Sequence, residues 1–177
     1  TMGYPTDIYV MKAHEKVGWK NYFDLYLYVK PIKFNNIFKK LKIGFLSFIF
    51  NKPLKFFNQL IDLYIFKNVY LDIRKNNLKS FLEIPVLEEF FSTFNNKYVI
   101  TLNKSKHFLN WRFSMPGNNY EFYTVHDKDK ILGYAVTLRK IRLGIPVLQI
   151  IDLIAIYEKN KTIKTLIKYI QNDAENY

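Results

Sequence analysis

A chain of 177 residues with 49% hydrophobic and 18% aromatic content can bury a sizeable core, which excludes a disordered protein. The lack of cysteine excludes disulfides, thiolate metal sites and a cysteine nucleophile, and histidines scattered at 14, 107 and 126 argue against a metal centre. A formal net charge of +12 points to anionic partners, and no run of about 18 apolar residues is present to cross a bilayer. The first residues show no signal pattern, so the expected compartment is the cytoplasm, with peripheral membrane attachment as an addition.

In chain order, Pro5 and Asp7 suit the first turn of a helix whose apolar positions include Ile8 and Met11, and Gly18 is its natural left-handed stop. Phe23, Leu25, Leu27 and Val29 alternate with Tyr22, Asp24, Tyr26 and Tyr28, the pattern of a strand with one apolar face, ended by Pro31. Residues 34–68 have helical period, interrupted by Pro53, with Ile37, Phe38, Leu41 and Phe45 on one face and Lys39, Lys40 and Lys42 on the other. An extended piece around Val69 to Ile73 precedes a polar turn at Lys75-Asn76-Asn77. A helix follows, with Pro85 at its first turn and Glu88 and Glu89 early.

Residues 120–139 read as a hairpin, with strands at 120–126 and 131–139 around a turn at Asp127 to Lys130. The run from Val147 to Ile156 is almost wholly apolar, as expected of a strand buried on both faces, and carries one carboxylate, Asp152. Ile163, Leu166, Ile167 and Ile170 give the face of a last helix. These elements predict an α+β fold with a mostly antiparallel sheet, in which residues 120–156 form three consecutive antiparallel strands and Asp152 lies on the central one.

The charge is uneven. Residues 31–80 hold ten Lys or Arg against two Asp, so +8 of the +12 falls in a basic helical linker. The favoured reading is a solvated helix face packed by its apolar side. Attachment to an anionic membrane comes next. Nucleic acid comes last, because no recognised nucleic-acid-binding motif accompanies the charge, and no specific nucleic-acid partner is expected.

The order of short motifs in the C-terminal half carries a likeness. Leu109-Asn110-Trp111-Arg112-Phe113 is followed by Pro116, Tyr120, Gly133-Tyr134-Ala135-Val136 and Ile151-Asp152-Leu153. In this order and spacing the chain resembles GNAT-fold acyl-CoA acyltransferases, of a two-domain bacterial and archaeal type found near polysaccharide biosynthesis genes. Gly3-Tyr4-Pro5-Thr6 and Lys16-Val17-Gly18-Trp19 resemble the end of a preceding unit, although Tyr4 and Thr6 depart from the Phe and Asn of that pattern. The resemblance implies that residues 1–33 close one GNAT-like unit, 34–80 form the linker and 81–177 open a second unit, so that the chain looks like a fragment. It further implies an N-acyltransferase using acetyl-CoA or another acyl-CoA on the amine of a sugar, amino acid or similar small molecule. A degenerate, non-catalytic module that binds a partner or an anionic membrane surface is the alternative. Exposed strand edges are unfavourable, so strand 20–30 is expected to lie on the sheet of residues 120–156 as one composite domain.

Site candidates follow from the resemblance and from residue chemistry. Asp152, a carboxylate in an apolar strand, is the candidate general base, against the favoured plainer reading of an acid paired with Arg112 or with backbone. Lys159 and Lys161 are the cofactor-binding candidates. Their loop, "YEKNKTIKT", lacks the glycines with which the family approaches the pyrophosphate, and this counts against a full phosphate cradle. Trp111, Arg112 and Tyr134 are the substrate-binding candidates. For the first two the favoured expectation is structural, with Trp111 buried against the sheet and Arg112 reaching a carbonyl or carboxylate. No metal is expected. His14, His107 and His126 are read as a helix-surface, a helix-end and a turn residue without a role.

Overall fold

The computed structural model describes residues 8–18, 20, 28–32, 38, 40, 42, 52–53, 56–60, 71–97 and 102–175. The chain divides into two compact units, residues 1–31 and 32–177. In the first, α1 spans Ile8–Lys16, and Gly18, at φ +90°, closes it by donating its N–H to the Glu15 carbonyl at 3.0 Å. Tyr28, Val29 and Lys30 have no regular structure and are exposed. The rest of the strand expected at 20–30, with Leu25 and Leu27, lies outside the described residues, as do most of the two apolar stripes expected in the basic linker. Residues 56–60 of that linker are helical.

The second unit is α+β. Its order is β1 (Asp72–Asn76), α2 (Leu78–Leu82), α3 (Leu87–Lys97), α4 (Lys106–Phe113), β2 (Tyr120–Asp127), β3 (Lys130–Arg142), β4 (Ile145–Ala155) and α5 (Lys159–Glu175). The four described strands make one antiparallel sheet in the order β1-β2-β3-β4. Local chemistry sets the boundaries. Asn77 caps α2 in a reciprocal box with Ser80, Ser105 caps α4 by accepting the Phe108 N–H at 3.1 Å, and Glu88 and Glu89 favour the first turn of α3.

The expected hairpin is present and longer than its alternation suggested, and three consecutive antiparallel strands do span the 120–156 region. Three other expectations change. Lys75 and Asn76 are strand residues, opposite Tyr123 and Phe122, because pairing with β2 satisfies their backbone where a free turn would leave it to water. Asp152 lies on β4, at the end of the strand order among the described residues and not at its centre. Most of β4 is half-buried, because helices cover its two faces incompletely.

Alternation along the strands divides the core between the two faces. On one face α2, α3 and α4 bring an aromatic layer down on the sheet. Phe81 stacks on Phe122 at 4.7 Å, and Phe90 and Phe91 meet the Tyr134 ring edge-on at 5.9 and 6.1 Å. On the other face Leu166 and Ile170 of α5 cover Tyr123, Val125, Leu132 and Ala135. Helix and sheet approach so closely here that a Cβ on Gly133 would lie 2.5 Å from the Ile154 carbonyl oxygen and 2.7 Å from the Thr162 methyl.

The β3–β4 hairpin outgrows the sheet. Pairing of β3 with β2 ends at Leu138, and residues 139–142 pair onward with β4 alone among the described strands. Leu143 and Gly144 turn the chain with φ of +51° and +76°. Such mirror-image turns suit a hairpin but favour Asn-Gly, and a leucine there costs roughly 1 kcal/mol.

Candidate functional site

Strand geometry places Tyr134 and Asp152 on the face covered by α2–α4, since Tyr134 pairs with Ile154 and Val136 with Asp152. Lys104, in the loop before α4, completes a cluster with them. Its ammonium lies 2.5 Å from Asp152 Oδ2 and 3.4 Å from the Tyr134 hydroxyl. The Tyr134 hydroxyl donates to the same Oδ2 at 2.9 Å, which leaves Oδ1 without a hydrogen bond among the described residues. The Lys104 and Asp152 side chains are only 13% and 14% exposed, so solvent screens their attraction weakly. The loop carrying Lys104 is itself pinned, because the Asn95 side chain accepts the Lys104 N–H at 3.1 Å and donates to its carbonyl at 2.9 Å.

Burial pushes the Tyr134 hydroxyl well above its ordinary pKa, and the adjacent Asp152 charge adds to this, while Arg112 opposes it. Tyr134 therefore stays protonated and serves as a fixed donor. Asp152 is an acid held by a cation and a phenol, with one oxygen left to accept a further hydrogen bond. Its cation is Lys104 and not the Arg112 named by the sequence.

Trp111 is not buried against the sheet. It is 71% exposed and touches Phe108 on its own helix at 5.9 Å. Leu109 and Phe113, four residues apart, take the inward face of α4, and the residue midway between them must point outward. Arg112 is exposed too, with its guanidinium over the Phe113 ring at 5.5 Å, and no hydrogen bond to a carbonyl or carboxylate is found for it among the described residues. His126 is a buried strand residue, not a turn residue, with its Nε2 2.9 Å from the Thr124 hydroxyl. Burial and the nearby Arg74 charge lower its pKa.

Lys159 and Lys161 occupy the first turn of α5, just after β4. Lys161 pairs with Glu158 at 3.1 Å, and an open depression of about 660 Å³ is lined by residues 158–161. Glu158 itself has φ +41°, so a left-handed turn is made here without glycine. Behind the loop, Lys97 donates to the Ile156 carbonyl at 3.0 Å, and the Thr162 hydroxyl donates to the Tyr157 carbonyl at 2.9 Å.

Lys104 is the residue that sequence reading missed. Nothing local marks it, since its partner is 48 positions away. Among the described residues no group of three His, Asp or Glu is placed to hold a metal, and no helix is long and apolar enough to cross a membrane. No family model, curated protein or solved structure matches this chain.

Proposed function

We propose that residues 71–175 belong to a GNAT-like N-acyltransferase, which passes an acyl group from acyl-CoA to the amine of a sugar, amino acid or similarly polar acceptor. The observation that carries this reading is the Asp152 carboxylate, with Oδ2 bound by Lys104 and Tyr134 and Oδ1 left as an acceptor. Asp152 Oδ1 accepts the amine proton as the nitrogen attacks the thioester carbonyl, the C–S bond then breaks, and the departing CoA thiolate takes up a proton to leave as free thiol, while Tyr134 and Lys104 hold the carboxylate in place. Element order also supports it, since helices, three antiparallel strands and a helix follow one another as the resemblance implies. The start of α5, with Lys159 and the backbone N–H groups of its first turn, is then the place for the CoA phosphates.

A second reading rests on Glu158. A left-handed glutamate, ion-paired to Lys161, puts negative charge where the family has glycine and the donor has phosphate. This favours a degenerate module that binds a partner without transferring an acyl group.

Calorimetric titration of the chain with acetyl-CoA separates the two. The acyltransferase reading expects saturable binding, weakened when Lys159 is replaced by Glu. It also expects free-thiol release in the presence of small amines to fall about 10²–10⁴-fold in Asp152→Asn while binding persists. Absence of acetyl-CoA binding leaves the second reading.

A further inference from the structure

We propose that the tip of the β3–β4 hairpin is a docking arm for an anionic lipid bilayer surface. This is independent of the acyl-transfer reading, since it uses none of the residues around Asp152 or the start of α5. Beyond Leu138 the arm extends by four paired positions, about 13 Å, past the last residue of β3 that β2 supports. At its end Ile141 and Leu143 are 72% and 84% exposed. Leu143 is also held in the left-handed region, where glycine or asparagine would sit without strain. A large aliphatic side chain kept in a disfavoured conformation, with no burial to offset it, points to a role outside the fold.

Charge identifies the occupant. Lys140 and Arg142 alternate along the chain with the two aliphatic residues, and the Lys40 ammonium lies 3.8 Å from where a Cβ on Gly144 would be. None of these three cations pairs with a carboxylate among the described residues, and no Asp or Glu occurs between Asp129 and Asp152. Cations around an apolar point suit the interface of an anionic bilayer. There the aliphatic side chains enter the acyl boundary while the cations stay at the phosphates. Nucleic acid is the poorer fit, because single strands are held by aromatic stacking and the tip offers only aliphatic groups.

The test is co-sedimentation of the full chain with vesicles of phosphatidylglycerol and phosphatidylcholine, against vesicles of phosphatidylcholine alone. The chain is expected to sediment with the anionic vesicles and to be released by salt. Leu143→Gly suits the turn, so its thermal midpoint should not fall below that of the unaltered chain, while its partitioning drops about tenfold. Replacing Lys140 and Arg142 together with Gln should lower partitioning about thirtyfold. The proposal is overturned by failure of the unaltered chain to bind anionic vesicles, or by equal binding of Leu143→Gly. Tip-dependent binding to a single-stranded RNA oligonucleotide, with none to vesicles, overturns it in favour of nucleic acid.

Discussion

The two faces of the sheet are stabilised by different physics. Beneath α2, α3 and α4 the contacts are aromatic: Phe81, Phe90 and Phe91 meet Tyr134, Phe122 and Phe113 extend the layer, and the polar groups gather at Asp152. Beneath α5 the apolar contacts of Leu166 and Ile170 are joined, near its C-terminus, by an ionic network. Lys75 reaches Glu121 at 2.8 Å and Asp173 at 3.1 Å, Arg139 bonds to both acids, and the Tyr123 hydroxyl lies 2.9 Å from Asp173 and 3.1 Å from Glu121. The aromatic contacts draw their stability from area removed from water and are nearly indifferent to pH. The ionic network depends on complementary charges that are about a fifth to a third exposed, so it responds to pH and salt.

The most severe challenge to this contrast is Phe81→Ala. Phe81 is fully buried between Phe122 and Tyr134, and its removal should cost about 3–5 kcal/mol in denaturant titration, with the same loss at pH 4 and pH 7. A strongly pH-dependent loss would show that the aromatic layer is coupled to charge.

Asp173→Asn tests the other face and should cost about 2 kcal/mol at neutral pH. Burial alone would push the Asp173 carboxyl up, but hydrogen bonds from Tyr123 and Lys75, with the charges of Lys75 and Arg139, together hold it below its ordinary value of 3.8. Between that lowered native value and 3.8 the unfolded chain binds more protons than the folded one. The stability that Asp173 contributes is therefore complete above about pH 4 and is lost as pH falls through the native value. The gap between the Asn variant and the unaltered chain should close over that range, which thermal melts at stepped pH would show.

The smallest effect sharpens the boundary of the aromatic layer. Trp111 belongs to the same helix as Leu109 and Phe113 but stands outside the layer, so Trp111→Ala should change stability by less than about 0.5 kcal/mol. A loss of several kcal/mol would place the indole within the core.

Legibility in the sequence followed the same division. The hairpin was readable over 120–139 because apolar alternation and the polar turn at residues 127–130 lie within one local stretch, and α5 because Leu166 and Ile170 recur at helical spacing. β1 was not readable in full, since "DIRKN" has one apolar residue and becomes a strand through pairing with β2. Asp152 stood out as a lone carboxylate in an apolar run, yet its cation could not be named because the loop with Lys104 meets β4 only after α3 and α4 have packed. Trp111 misled through its size: a large indole suggests burial, whereas the Leu109 to Phe113 spacing on α4 had already set the inward face.

Among the described strands β1 stands at the edge of the sheet, and this has a kinetic consequence. β2, β3 and β4 follow one another through short turns, so each pairing closes a small loop and the meander can form early. β1 must wait for three intervening helices to be placed before it finds β2. It is five residues long and mostly exposed. Its amides should exchange with solvent through a partial opening that leaves β3 intact, so that the strand last to join is the first to leave.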